Sequence, residues 1–357
     1  MATDQALQKR LKRTILCLSK SKLDALLVAS PVNIFYLTGL RGIEGYLLIS
    51  PQRLVFFTDF RYQLKSQKRC KDLGIDLAIY HFGIFDFIAA TAAKRKIKRL
   101  GCEAKIVSHK EYLEFKKSFR RQGLSLEPTC DMIKDLRKIK DKGELRLIKQ
   151  SVKVALETFS FIRDIAYPGL TEQFLVNEIE HFLKTKSDPE IAFAPIVASE
   201  SFSAQPHYSP GPVKIKAHLP ILCDLGAKYQ GYCSDLTRLV FLSKMPKHIN
   251  KIFNIIKTAQ AKSIDTIRAG IKAKAIDKAA RSYIEKKGYG KYFGHSLGHG
   301  VGLEVHELPG LHSKNEEILK EGMVVTIEPG IYIPGKFGIR EESMVVVGAR
   351  SAELLDN

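Results

Sequence analysis

Five residues in the second half of the chain have the types and neighbours for chemistry on cations. Asp224 ends an apolar run that begins at Leu219 and is followed by Leu225-Gly226; Asp235 comes eleven residues later, in Tyr232-Cys233-Ser234-Asp235-Leu236-Thr237-Arg238. A strand, a tight turn and a second strand would set these two carboxylates side by side. Adjacent carboxylates repel unless a proton or a cation sits between them, and hard divalent cations are the usual remedy. Phe293–Glu307 then carries His295, His299 and His306 among four glycines. His295 and His299 have an i, i+4 spacing, but Gly298, Gly300 and Gly302 oppose a helix, so this is not a helical zinc pair. Glycines here let the backbone approach an ion or substrate closely. Glu328 stands between the apolar run Val324–Ile327 and Pro329-Gly330, and Glu342 precedes the run Ser343–Val347. Asp224, Asp235, His299, Glu328 and Glu342 supply four carboxylates and one imidazole. That donor set suits two hard or borderline divalent ions sharing bridging carboxylates.

The elements that must position these residues are legible from periodicity. Residues 141–357 open with two predicted helices, from about Lys142 to Ala166 and over Thr171–Lys184. Strands are predicted at Ile191–Val197 and Leu219–Leu225, then helices over about Pro246–Ala269 and Lys274–Lys287, then strands and glycine-rich turns. Residues 1–130 alternate strands (Asp24–Val28, Tyr46–Ile49, Leu54–Phe57, Leu77–Tyr80) with helices (Asp59–Arg69, Ile84–Arg95, Ser108–Phe119), behind a basic amphipathic first helix in Met1–Lys20. This is an α/β domain with a mixed sheet. Asp131–Lys140 reads as a charged linker helix.

The order Asp, Asp, His, Glu, Glu in the frames DLG, SDLTR, GHGVG, TIEPG and REE resembles the pita-bread dinuclear metallopeptidases: methionine aminopeptidase, aminopeptidase P and Xaa-Pro dipeptidase, with the metal-free creatinases as relatives. The α/β first half, Ala194–Ser199 followed by Pro206-His207, and His306-Glu307 resemble the proline-specific branch. The resemblance implies an α/β (α+β) chain with a creatinase-like N-terminal domain and a pita-bread catalytic domain. Asp224 would chelate one metal, Asp235 and Glu342 would bridge both, and His299 and Glu328 would complete the second. His207, His295 and His306 would line the substrate pocket, and Arg340 would support a ligand carboxylate near the substrate. The two ions would be Mn²⁺, with Co²⁺ or Zn²⁺ as alternatives, and would activate a hydroxide. Glu328 would move the proton, and His306, with His207, would assist at the scissile bond. The implied activity is that of an Xaa-Pro aminopeptidase acting on peptides with an Xaa-Pro N-terminus. The alternatives are an Xaa-Pro dipeptidase and a non-enzymatic relative that binds nucleic acid or protein. The pattern departs at Glu200, where the family often has glycine after Val-Ala-Ser.

Composition sets the remaining expectations. Of 357 residues, 57 are Lys or Arg and 38 are Asp or Glu, giving a net charge of +19. Residues 1–140 hold 28 of the bases and 13 of the acids, so the excess lies outside the half that carries the chemistry. It reads as the surface of an accessory domain rather than a nucleic-acid site. Six scattered cysteines without a CxxC pair point to reduced thiols in the cytoplasm. Family relatives are commonly homodimers, which sets that expectation here. No stretch approaches the ~20 apolar residues of a membrane span.

Overall fold

The computed structural model describes residues 3–188 and 190–357. The chain divides into two compact units after Arg137, inside the stretch expected as a linker. The first runs through α1 (Asp4–Lys20), β1 (Ala25–Val28), α2 (Pro31–Thr38), β2 (Tyr46–Ile49), β3 (Leu54–Thr58), α3 (Gln63–Leu73) and β4 (Asp76–Ile79). It continues through α4 (Ile84–Lys94), β5 (Arg99–Glu103), α5 (His109–Arg121), β6 (Ser125–Thr129) and α6 (Met132–Arg137). Met1 and Ala2 of the expected first helix lie outside the described residues. The sheet order is β4-β3-β2-β1-β5-β6, with β1/β5, β5/β6 and β3/β4 parallel and β1/β2 and β2/β3 antiparallel. One sheet face packs Leu27, Leu48, Phe57 and Leu100 against Ile88, Ala92, Phe115 and Phe119 of α4 and α5, all fully buried. Each buried Leu, Ile or Phe side chain in this set contributes roughly 1.5–3 kcal/mol relative to exposure.

Four elements of this unit differ from the sequence reading. Ser30-Pro31 ends β1 but also starts α2: Ser30 Oγ accepts from Asn33 N at 3.3 Å, and Pro31 occupies the first turn. The buried Glu103 carboxylate accepts from Ala29 N and Ser30 N at 2.7 and 2.8 Å at that helix start. Strands β5 and β6 carry no clear apolar alternation, and pairing with β1 makes them strands. The helix expected over 131–140 covers only Met132–Arg137.

The second unit begins with α7 (Lys142–Ile165), closed by a reciprocal cap in which Asp141 Oδ1 accepts from Glu144 N at 2.9 Å and Glu144 Oε2 accepts from Asp141 N at 2.9 Å. It continues through α8 (Glu172–Lys186), β7 (Ile196–Ser199), β8 (Ile221–Leu225), β9 (Lys228–Tyr229), β10 (Tyr232–Cys233), β11 (Leu236–Val240), α9 (Lys247–Thr266) and α10 (Ala273–Lys286). The last part holds β12 (Gly298–Gly300), β13 (Glu307–Leu311), β14 (Val324–Ile327), β15 (Gly330–Ile333), β16 (Phe337–Arg340), β17 (Ser343–Val347) and β18 (Ala352–Leu354). The strands form an antiparallel β11-β8-β7 sheet, an antiparallel β13-β12-β14-β17-β18 sheet and the β15-β16 and β9-β10 hairpins. Helices α9 and α10 bury Ile249, Ile256, Ala259, Ile276, Ala280 and Ile284 with Val325, Ile327, Ile331, Ile339 and Val345. The strand expected from Ile191 begins only at Ile196.

Glu200 follows β7 with φ +51°, the left-handed region where glycine is favoured, which accounts for the glycine common at this place in the resembled family. Its carboxylate pairs with Lys216 Nζ at 2.7 Å. The short 3₁₀ turn Glu200–Ala204 is latched to β16, since Gly338 N donates to Ser203 Oγ at 2.8 Å. A Cβ on Gly338 would lie 1.9 Å from the Ser203 carbonyl oxygen. Gly338→Ala therefore forces the turn off the strand and is expected to cost about 2–3 kcal/mol, lowering the Tm by roughly 5–10 °C. A thermal melt unchanged within 1–2 °C, on the same scale, would show that the turn moves freely.

Candidate active site

Backbone pairing brings the acidic residues together. Asp224 on β8 lies opposite Thr237 on β11, and Asp235 immediately precedes β11. Glu328 follows β14 and Glu342 precedes β17, whose ladder pairs Ile327 with Ser343 at the adjoining end. The same ladder end therefore delivers both glutamates. Glu328 N donates to Leu297 O at 2.8 Å, Glu342 N to Thr237 O at 3.1 Å, and His299 N to Thr326 Oγ1 at 3.1 Å. Gln260 on α9 donates to Ile327 O and Glu341 O, both at 3.0 Å, and so ties the two approaches together. A cleft of about 420 Å³ is lined by all nine residues singled out in the sequence: His207, Asp224, Asp235, His295, His299, His306, Glu328, Arg340 and Glu342.

Single ligand atoms of Asp224, Asp235 and Glu342 lie within 4.8 Å of one another, as do those of His299, Glu328 and Glu342 and those of Asp235, His299 and His306. Asp235, His299 and Glu342 each belong to two of these groups. His299 Nε2 faces Asp235 Oδ2 at 3.5 Å and Glu328 Oε1 at 3.6 Å, while Nδ1 is 3.1 Å from the Gly300 carbonyl. We assign the proton to Nδ1, where it donates to that carbonyl; Nε2 then turns its lone pair toward two carboxylates. Burial, with His306 nearby, lowers the His299 pKa to about 4, so the ring is neutral. Burial first and the Glu342 charge second push Asp235 and Glu328 well above the usual carboxylate range. Burial and the Asp224 charge raise Glu342 to about 8.

Asp224 Oδ1 is buried without a hydrogen-bond partner. An orphaned carboxylate oxygen, a neutral imidazole lone pair and three further acids at this spacing fit hard or borderline divalent cations. Asp224 Oδ2 is held by Arg340 Nη2 at 2.7 Å, and Thr237 Oγ1 donates to Glu342 Oε2 at 2.9 Å while accepting from Arg340 Nε at 2.9 Å. Arg340 thus orients the Asp224 carboxylate, with 4% of its own surface exposed.

Sequence reading missed Tyr332, on β15. Its hydroxyl is 3.0 Å from Arg340 Nη1 and 3.0 Å from His295 Nε2. Arg340 can only donate, so the Tyr332 O–H donates to His295 Nε2, and His295 Nδ1–H donates to Ser296 O at 2.7 Å. Burial lowers the His295 pKa to about 4, matching this neutral tautomer. The signal available was the apolar strand Ile331–Ile333 between Glu328 and Arg340, in which a tyrosine passes for packing. Thr237 and Gln260 gave no signal beyond their place in regular elements. Cys223 and Cys233 are buried with thiol pKa values pushed up by burial, which makes them packing residues rather than nucleophiles.

Residues 146–349 match metallopeptidase family M24, and residues 10–139 match the Creatinase/Prolidase N-terminal domain. The chain belongs to metallopeptidase family M24. Its second unit has the family's pita-bread fold, and it is a hydrolase of peptide bonds whose family uses divalent metal ions. The chain is 32% identical to an Xaa-Pro dipeptidase of Pyrococcus horikoshii over 98% of its own length and 97% of the relative's. Among solved structures, an Xaa-Pro dipeptidase from Bacillus anthracis matches with a TM-score of 0.94 at 33% identity, covering 98% of each chain. An X-Pro aminopeptidase from Thermotoga maritima matches with a TM-score of 0.89 at 32% identity, covering 98% of this chain and 97% of that one.

The acid cluster gives a pH prediction. A carboxyl whose folded pKa exceeds its unfolded value binds more protons when native, so its contribution is complete below the unfolded pKa and is lost as pH rises through the folded one. For Glu342 that window runs from the ordinary 4.5 to about 8. Chelator-stripped protein is therefore expected to lose thermal stability steadily from about pH 5 to about pH 9, and added Mn²⁺ to remove the slope. Scanning fluorimetry of the stripped protein that is flat or rising across the window would contradict this.

Proposed function

We propose that this protein is an Xaa-Pro dipeptidase, in preference to the aminopeptidase P expected from the sequence. The observation that carries the reading is a five-residue donor cluster sharing one cleft with three histidines, in an M24 chain whose full-length relatives include named Xaa-Pro dipeptidases. Asp224, Asp235, His299, Glu328 and Glu342 would hold two divalent ions, and the oxygen-rich donor set favours Mn²⁺. Bound there, the ions supply Lewis acidity and lower the pKa of a water. Glu328 takes the proton of the attacking water and hands it to the leaving proline nitrogen. His306, its ring centroid 4.3 Å from that of His299, donates to the oxygen on which charge develops. His207 and His295 flank the pyrrolidine ring. His207 is carried by a loop fixed at two places, where Arg340 Nη1 donates to Pro206 O at 3.3 Å and Tyr208 Oη to Glu172 Oε2 at 2.8 Å.

One observation favours the aminopeptidase P reading. Among the described residues lining the cleft, the one Lys or Arg is Arg340, and its guanidinium already serves Asp224, Thr237 and Tyr332. A dipeptide's C-terminal carboxylate would then meet imidazoles instead of a dedicated cation. Turnover of Gly-Pro against a tripeptide with proline second separates the two: the dipeptidase reading expects at least about tenfold higher kcat/KM for Gly-Pro, and the reverse ratio selects aminopeptidase P.

The proton assignment has its own test. Glu328→Ala, with metal content measured in parallel, is expected to lower kcat by about 10²–10⁴-fold. A variant that keeps its metal and near-normal turnover removes Glu328 from that role.

Six free cysteines support a reducing, cytoplasmic setting, and among the described residues no helix is long and apolar enough to cross a membrane. Phe60, Leu64 and Phe82, exposed by 75, 86 and 94%, support a homodimer formed through the first unit. Light scattering on Phe60→Ser/Leu64→Ser against the unmodified chain tests it: a dimer that persists unchanged moves the interface elsewhere.

A further inference from the structure

Arg281 lies on α10, outside the donor cluster, yet it holds the segment that presents His295. Residues 293–297 form an irregular link between the 3₁₀ turn Gly290–Tyr292 and β12, and among the described residues no backbone N–H reaches the carbonyls of Phe293 and His295. Arg281 fills that gap. Its Nη1 donates to Phe293 O and its Nη2 to His295 O, both at 2.9 Å. The same guanidinium is gripped from behind by Asp277, with Nε–Oδ2 at 2.8 Å and Nη2–Oδ1 at 2.7 Å. Asp277 is fully buried one helical turn earlier. The guanidinium also lies 4.2 Å from the centroid of the Phe293 ring, which in turn meets the His295 ring edge-on at 5.2 Å and 90°.

His295 is thereby held from two sides. Tyr332 Oη and Ser296 O fix its ring, and Arg281 fixes its backbone and stacks on the Phe293 ring that packs edge-on against the imidazole. A lysine could not repeat this, because the hold depends on a planar fork whose donors reach a carboxylate and two carbonyls at once.

We propose that the Asp277–Arg281 pair is a positioning device that holds His295 against the residue after the scissile bond, and so sets the preference for proline there. The proposal rests on the Xaa-Pro reading of the cleft and adds residues that touch neither substrate nor metal ligands.

The test replaces the whole pair, Asp277→Leu with Arg281→Met, because removing one partner alone would strand a buried charge. The ratio of kcat/KM for Gly-Pro to that for Gly-Ala is expected to fall about tenfold with metal content unchanged. Amide exchange at Phe293 and Leu297, which bond to Gly290 O and Leu311 O, is expected to accelerate while α9 and α10 stay protected. In a His295→Ala background, removing the pair should change the ratio by less than about twofold, since a device acting through His295 has nothing left to position. Arg281→Lys, which keeps a charge for Asp277, should fall between wild type and the pair variant, and it decides the matter if the pair variant does not fold. An unchanged proline ratio, unchanged exchange, or equal effects with and without His295 would each overturn the proposal. A wild-type protein with no preference for proline would instead sink the Xaa-Pro reading, and exchange at Phe293 and Leu297 would then judge the clamp alone.

Discussion

Four carboxylates held out of water within reach of one another are the constraint on which the second unit depends. Each charge raises the cost of the next, and burial removes the solvent that would screen them. The directions are consistent: Asp235, Glu328 and Glu342 are all pushed up, with burial as the largest cause and a neighbouring carboxylate next. Arg340 offsets part of this through Asp224, but it sits at one edge and leaves Asp224 Oδ1 without a partner. A neutral His299 turned lone-pair inward completes a set that is unfavourable when its acids are ionised and unpaired, and that protons or divalent cations relieve.

A cluster so unfavourable by itself has to be imposed by a stiff frame. The acids stand at strand ends whose registers are locked by antiparallel ladders, and a one-residue slip would turn them to the opposite faces. The frame draws its stiffness from the apolar packing of α9 and α10 beneath β14 to β17. Polar side chains do the finer placement. Gln260 joins the two glutamate approaches, Thr237 spans Arg340 and Glu342, and Tyr332 connects Arg340 to His295. The pocket histidines sit on loops, and their backbones are held by buried carboxylates outside the cluster. Glu172 accepts from Ser199 N at 2.7 Å before the His207 loop, and Glu307 Oε1 accepts from Leu303 N at 2.9 Å before His306.

The first unit answers to different physics. Its basic excess sits on exposed helix faces and helix ends such as Lys116, Lys117, Arg120 and Arg121, where cations near a helix C-terminus are favourable. Its core is an ordinary sheet-and-helix layer with aromatic edges at Phe115 and Phe119. The strong net charge of the chain is thus a property of this surface, separate from the buried acids that line the cleft.

The donor residues and their frames were legible in the sequence because each sits beside a local signal that needs no tertiary contact: an apolar run before Asp224, glycines around His299, Pro-Gly after Glu328. Helices with caps and clear periodicity, such as α7 and α8, were legible for the same reason. Strands β5 and β6, helix α2 after Ser30-Pro31, and the late start of β7 were not, because pairing partners and packing decide them over local preference. Tyr332, Thr237, Gln260 and Arg281 look like filler in a linear reading. Hydrogen bonds weaken steeply with distance and angle, so only the folded chain, in which Arg281 bonds to Phe293 and His295 twelve and fourteen residues away, decides which polar side chains hold the site.

 The donor types were therefore set by the sequence, since a carboxylate or an imidazole carries its chemistry wherever it lies. Which polar side chains orient those donors was set by the tertiary structure, since a hydrogen bond requires a partner placed in space rather than in order along the chain.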